Sequence, residues 1–138
     1  MKPAPFDLAC PDNLEEALAV LAEHGADARV LAGGQSLGAM LNMRLATPKV
    51  LVDISRLEEL SAIREARGMI EVGAAVSQDR LLRWPGLSAQ PLLEKMLPWV
   101  GHHQTRQRGT VCGSIAHADP SSEIPVALAI LAAHRPKP

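Results

Sequence analysis

Leu31-Ala32-Gly33-Gly34-Gln35-Ser36-Leu37 and Arg108-Gly109-Thr110-Val111-Cys112-Gly113-Ser114-Ile115-Ala116-His117-Ala118-Asp119-Pro120 are the two stretches that decide how this chain reads. Each places small residues where an apolar run stops. Backbone N–H groups there can point at an anion with no side chain in the way. One such loop is a weak signal. Two of them in a small chain of mixed helix and strand point to a ligand that carries a pyrophosphate.

Outward from the first loop, Ala28–Ala32 reads as a buried strand, Ser36–Arg44 as a short helix ended by Pro48, and Val50–Ile54 as a second strand. That succession has the length of a βαβ unit with a right-handed crossover. Upstream, Phe6–Leu8 is extended, and Asp12 caps a helix over Asn13–Glu23. Leu14, Ala17, Leu18 and Leu21 form its apolar stripe, and Gly25 closes it.

Downstream the texture changes. Ala62–Ala66 and Met69–Gly73 flank Arg67-Gly68 as a hairpin, Ser77 caps a helix to Arg83, and Gln90–Val100 is helical. Gly101–Arg108 reads as a polar, basic loop and Val111–Ala116 as a short strand. Glu123–Ala133 reads as an apolar helix introduced by Asp119-Pro120-Ser121-Ser122. No internal repeat or low-complexity stretch interrupts the chain.

The bulk numbers narrow the class. With 138 residues the chain is one domain's worth or part of a larger unit. Phe6, Trp84 and Trp99 are the only aromatics, so the core must be aliphatic. A net charge of −1 gives no electrostatic case for nucleic acid or an anionic membrane. No apolar run is long enough for a membrane span, no signal region follows the N-terminus, and Cys10 and Cys112 lack metal or redox spacing. The expected location is the cytoplasm.

Each candidate site has a plainer reading beside it. Gly33-Gly34 forms either an anion nest at a helix N-terminus or a tight strand-to-helix turn. It is neither G-x-G-x-x-G nor a Walker loop. In the second stretch Thr110 and Ser114 carry hydroxyls able to donate to phosphate or ribityl oxygens. Glu123 either accepts from a sugar diol or simply favours the dipole of its own helix. His102, His103, His117 and Asp119 are too sparse for a metal site. Cys112 reads as a small buried residue, and Arg106 and Arg108 as facing an anionic cofactor or a partner subunit. No catalytic acid, base or nucleophile stands out.

Ala32 to Leu37, Met40 to Pro48 and Leu51 to Ile54 resemble the first flavin motif of the FAD-binding medium subunit of molybdenum hydroxylases, the xanthine dehydrogenase-like and carbon monoxide dehydrogenase-like enzymes. Arg108 to Pro120, with Glu123-Ile124-Pro125, resembles the second. The similarity runs over residues 3 to 133.

The resemblance implies an α+β fold of the two-subdomain, vanillyl-alcohol oxidase-like FAD-binding type. Residues 1–56 would form the N-terminal βαβ subdomain, 57–133 the start of an incomplete second subdomain, and 134–138 a tail. It implies FAD contacts from Ala32, Gly33, Gly34, Gln35, Ser36, Leu37, Thr110, Val111, Cys112, Gly113 and Ser114, with Glu123 at the adenosine ribose. It implies a molybdenum-cofactor large subunit and a [2Fe–2S] small subunit as partners. Electrons would pass through FAD to NAD or a quinone-type acceptor.

Two departures accompany it. The family has two glycines where this chain has Cys112-Gly113, and family members continue for roughly as long again. The rival expectations are a truncated remnant that binds no FAD and a small nucleotide-binding module.

Overall fold

The computed structural model describes residues 2–133, so the expected tail at 134–138 lies outside the described residues. Strand β1 (Asp7–Ala9) leads to helix α1 (Leu14–His24). Strand β2 (Ala28–Leu31), helix α2 (Gln35–Asn42) and strand β3 (Val50–Asp53) follow. The three strands form a parallel sheet in the order β1-β3-β2, with Val50 opposite both Asp7 and Ala28.

Central β3 is closed on both faces. Val52 is fully buried with Val50, Ile54, Leu57, Ala17 and Ala28, and Leu51 on the opposite face is equally inaccessible. Burial on both faces is why Val50-Leu51-Val52 runs apolar without alternation.

Local chemistry sets the helix start. The Asn13 side chain, not Asp12, caps α1 by accepting from the Glu16 N–H at 2.8 Å. The Glu16 carboxylate in turn accepts from the Asp12 N–H at 2.9 Å, a variant of the reciprocal capping box. Of the expected stripe, Leu18 is exposed and Val20 packs on the core instead. The edge strand β2 also differs from the expected buried strand: Ala28 is buried, but Val30 is exposed.

The second half begins with the antiparallel hairpin of β4 (Ile63–Ala66) and β5 (Met69–Val72). Arg67 and Gly68 both have positive φ, 54° and 71°, as a primed two-residue turn requires. Helices α3 (Gln78–Leu82), α4 (Pro91–Met96), α5 (His103–Arg108), α6 (Val111–His117) and α7 (Glu123–Ala133) complete the described chain. All of them except α5 contribute to a core in which Val76, Leu81, Leu97 and Ile124 are the most deeply buried residues, with Val111 beside them.

Two sequence readings change here. The Gly101–Arg108 loop contains α5, whose Arg106 guanidinium donates inward to the Val100 and Gly101 carbonyls, each at 3.0 Å. The Val111–Ala116 strand is helix α6. The Thr110 hydroxyl caps it by accepting from the Gly113 N–H at 3.0 Å, and Ala118 ends it at φ 55°. Apolar periodicity over so short a run does not separate strand from helix. The cap decides.

Candidate functional site

The first glycine loop leaves the C-terminal end of β2, the edge at which open parallel sheets bind ligands. Gly34 adopts the left-handed conformation (φ 69°) and is the N-cap of α2, with no side chain capping that end. The helix therefore starts at Gln35, one residue before the expected Ser36. Its first N–H groups carry the partial positive charge of the dipole.

Gln35 folds back, donating from Nε2 to the Gly33 carbonyl at 3.1 Å. Ser36 is exposed, and Ala32 and Leu37 are half-buried. Gly33 is fixed by proximity. A Cβ there would collide with the Arg108 carbonyl oxygen and stand 2.8 Å from the Gly109 α-carbon. The two glycine segments, distant in sequence, are thus in backbone contact.

The second segment is the N-terminal turn of a helix and is largely self-satisfied. Thr110 is buried and its Oγ1 accepts from the Gly113 N–H, while its hydroxyl proton is still available to donate. The Ser114 hydroxyl shares a 2.9 Å hydrogen bond with Ser122. Val111 is buried in the helical core. Glu123 is exposed in the first turn of α7.

Cys112 turns toward the hairpin, its thiol donating to the Val72 carbonyl at 3.4 Å. That contact gives the side chain room where the resembling family has glycine. Burial pushes its pKa up, so the thiol is a weak nucleophile at neutral pH.

One participant escaped the sequence reading. Val111 N–H donates to the Val76 carbonyl at 3.1 Å, Gln78 N–H donates to the Gly109 carbonyl at 2.8 Å, and Ser77 and Thr110 form an antiparallel bridge. Residues 76–78 therefore splint the second glycine segment from behind. The Gln78 side chain is 6% exposed, and its Oε1 is buried without a hydrogen-bond partner. Its Nε2 lies 3.3 Å from the position a Cβ on Gly109 would take; Gln35 Cγ lies 3.5 Å from the same point. Nothing local in the sequence marks this glutamine, because its neighbours come from two distant loops.

The other candidates do not join the seam. His102, His103, His117 and Asp119 contribute to no group of three or more potential metal ligands among the described residues. Asp119 accepts from the Ser121 N–H and hydroxyl, which hold its pKa below the ordinary carboxylate value. Arg106 is used internally and Arg108 is exposed. A groove of about 410 Å³, lined by Ile63, Asp79, Arg80, Arg83, Trp84 and Pro85, is bordered by neither glycine segment. Among the described residues no helix is long and apolar enough to cross a membrane.

Known proteins are similar to this chain in sequence and in fold. Residues 4–134 match the family described as the FAD binding domain in molybdopterin dehydrogenase. The chain is 43% identical over 135 residues to the 6-hydroxypseudooxynicotine dehydrogenase complex subunit alpha of Paenarthrobacter nicotinovorans, covering 97% of this chain and 46% of the relative. It is 38% identical over 135 residues to the carbon monoxide dehydrogenase medium chain of Hydrogenophaga pseudoflava, covering 97% of this chain and 47% of the relative.

Among solved structures, carbon monoxide dehydrogenase from Hydrogenophaga pseudoflava superposes with a TM-score of 0.86 at 40% identity, over 91% of this chain and 44% of that one. Quinoline 2-oxidoreductase from Pseudomonas putida 86 gives the same TM-score and coverage at 42% identity. The chain spans a little under half the length of these relatives. It belongs to the family of FAD-binding domains in molybdopterin dehydrogenases.

Proposed function

We propose that this chain binds FAD and serves as the flavin-holding part of the medium subunit of a molybdenum-containing hydroxylase or dehydrogenase. The observation that carries the reading is the seam: Gly33 lies against Arg108 and Gly109 so closely that any side chain would be excluded. The seam combines the uncapped N-terminus of an eight-residue helix and a cradle that a Cβ would fill, with the amide nitrogen of Gln78 close to Gly109. Those features fit a diphosphate-bearing nucleotide.

In this reading the N–H groups of Gly34 to Leu37 bind the diphosphate. Thr110 donates its remaining hydroxyl proton to the phosphate–ribityl chain, and Val111 to Ser114 wall that chain. Glu123 takes the adenosine ribose diol. The two halves of the chain then correspond to the first subdomain and the opening of the second in a vanillyl-alcohol oxidase-like fold.

The bound flavin supplies electron transfer between a [2Fe–2S] small subunit and NAD or a quinone-type acceptor, while a large subunit holding the molybdenum cofactor oxidises the substrate. This chain contributes binding and orientation to a cytoplasmic complex, and no acid or base. Relatives named as a medium chain and as a subunit of a dehydrogenase complex support that assembly.

The test is a visible spectrum of the purified chain after mixing with excess FAD and desalting. A flavin band retained by wild type and lost in Gly33→Val is expected. A folded wild-type chain that emerges colourless would sink the reading and favour a remnant without cofactor.

A further inference from the structure

We propose that Gln78 is a further cofactor-binding residue, whose carboxamide Nε2 donates a hydrogen bond to an oxygen of the diphosphate–ribityl chain seated on the glycine seam. The inference rests on the FAD reading above and extends it to a residue outside both glycine motifs.

Three observations converge. First, Gln78 is a polar side chain only 6% exposed at the start of a five-residue helix whose other buried side chain is Leu81. Glutamine is rarely so deeply buried unless something pairs with it. Second, its Oε1 has no hydrogen-bond partner. Leucine would fit nearly the same volume without leaving a buried acceptor unsatisfied, so hydrophobic packing does not explain a glutamine here. Third, the other end of the carboxamide is directed at the seam. Nε2 lies 3.3 Å from the Cβ position of Gly109, whose α-carbon would stand 2.8 Å from a Cβ on Gly33.

The backbone makes the geometry firm. Gln78 N–H holds the Gly109 carbonyl at 2.8 Å, and the Ser77–Thr110 bridge and the Val111–Val76 hydrogen bond lock the adjoining residues. The carboxamide is therefore carried by the same splint that positions the second loop. Its amide nitrogen carries two N–H donors. The absence of a Cβ at Gly109 is what opens its path to the seam. Gln35 Cγ, from the first glycine loop, lies 3.5 Å from the same point.

The experiment uses the full chain, with FAD titrated by quenching of flavin fluorescence and the FAD-free protein melted in parallel. Gln78→Leu removes the donor and the orphaned oxygen together. It is expected to melt within about 3 °C of wild type and to bind FAD about tenfold more weakly, the ordinary worth of one hydrogen bond to a charged group. Gln78→Glu keeps the shape but replaces donors with a carboxylate facing phosphate, and is expected to bind more weakly still.

Binding by Gln78→Leu within about threefold of wild type overturns the proposal. So does a Gln78→Leu melt lowered well beyond 3 °C, which would assign Gln78 to the framework, or Gln78→Glu binding as tightly as wild type. A wild-type chain that binds no FAD overturns the reading beneath it, and that outcome is distinct from every result seen only in the variants.

Discussion

The two glycine segments meet in space, yet they are built in opposite ways. The first is open: α2 starts at Gly34 with no side chain on its N-terminus, and Gln35 reaches back to the Gly33 carbonyl instead of covering the free N–H groups. The second is closed: Thr110 caps Gly113, Ser114 pairs with Ser122, and Val111 is committed to the helical core. Similar small-residue composition thus supports two jobs. An open turn leaves N–H donors free for an anion, while a satisfied turn is a rigid wall.

The sharpest way to break this comparison is Gly33→Val. Its side chain must displace the backbone of Arg108 and Gly109, so retained FAD is expected to fall below detection by desalting. The melt should drop with it, since forced repacking of this kind costs about 1–3 kcal/mol. Full flavin retention would mean that the two loops need not touch to work.

Next in size are two core truncations that ask whether the halves depend on each other. Ile124→Ala, in the core that holds the second loop, is expected to cost about 2–5 kcal/mol, as is usual for a fully buried aliphatic side chain. Val52→Ala in the core of the first half removes less volume, and about 1–3 kcal/mol is expected from the transfer of two methyl groups plus a small cavity. Urea melts would check both. Separate transitions for the two variants would show that each half unfolds alone, and a single shared transition would show one cooperative unit.

Thr110→Ala probes the closed turn directly. Loss of the cap is expected to cost about 1 kcal/mol, with FAD binding weakened further by the lost hydroxyl donor. An unchanged melt would show that the Gly113 N–H finds another acceptor. Thr110→Ser, which keeps the oxygen, should restore most of both effects.

The smallest effect concerns the thiols. Cys10 is exposed, whereas Cys112 is half-buried against Val72 with its pKa raised by desolvation. A raised pKa means less thiolate at a given pH, so iodoacetamide at pH 8 should label Cys10 before Cys112, read by mass spectrometry. Raising the pH toward the Cys112 pKa should narrow the difference. Faster labelling of Cys112 would place it in an open loop and contradict the closed description.

Much of this was legible in residue patterns. The Asn13 side chain that caps α1 stands one residue from the expected Asp12, and Arg67-Gly68 made the hairpin from turn chemistry alone. The apolar run Val50-Leu51-Val52 is readable as a strand, but burial was expected of Ala28–Ala32, whereas the strand covered on both faces is the central one at Val50–Asp53. Both glycine motifs also stood out as motifs. Reading failed where a few residues had to be assigned by period. Val111–Ala116 is too short to tell strand from helix, and the deciding hydrogen bond comes from a threonine side chain outside the run. Residues 103–108 form a helix in a polar segment because Arg106 can staple it inward onto the Val100 and Gly101 carbonyls, which no periodicity announces.

The sequence by itself determined the local elements of the first half, the turn at Arg67-Gly68 and the family to which the chain belongs. These depend on contacts within a few residues or on long ordered motifs. Only the tertiary structure decided that Gly33 abuts Gly109, that the Thr110 and Ser114 hydroxyls are already engaged, and that Gln78 sits behind the seam with an unmatched oxygen. Those facts depend on segments far apart in the chain meeting at close range. Sterics and hydrogen-bond satisfaction act there on whatever the fold brings together.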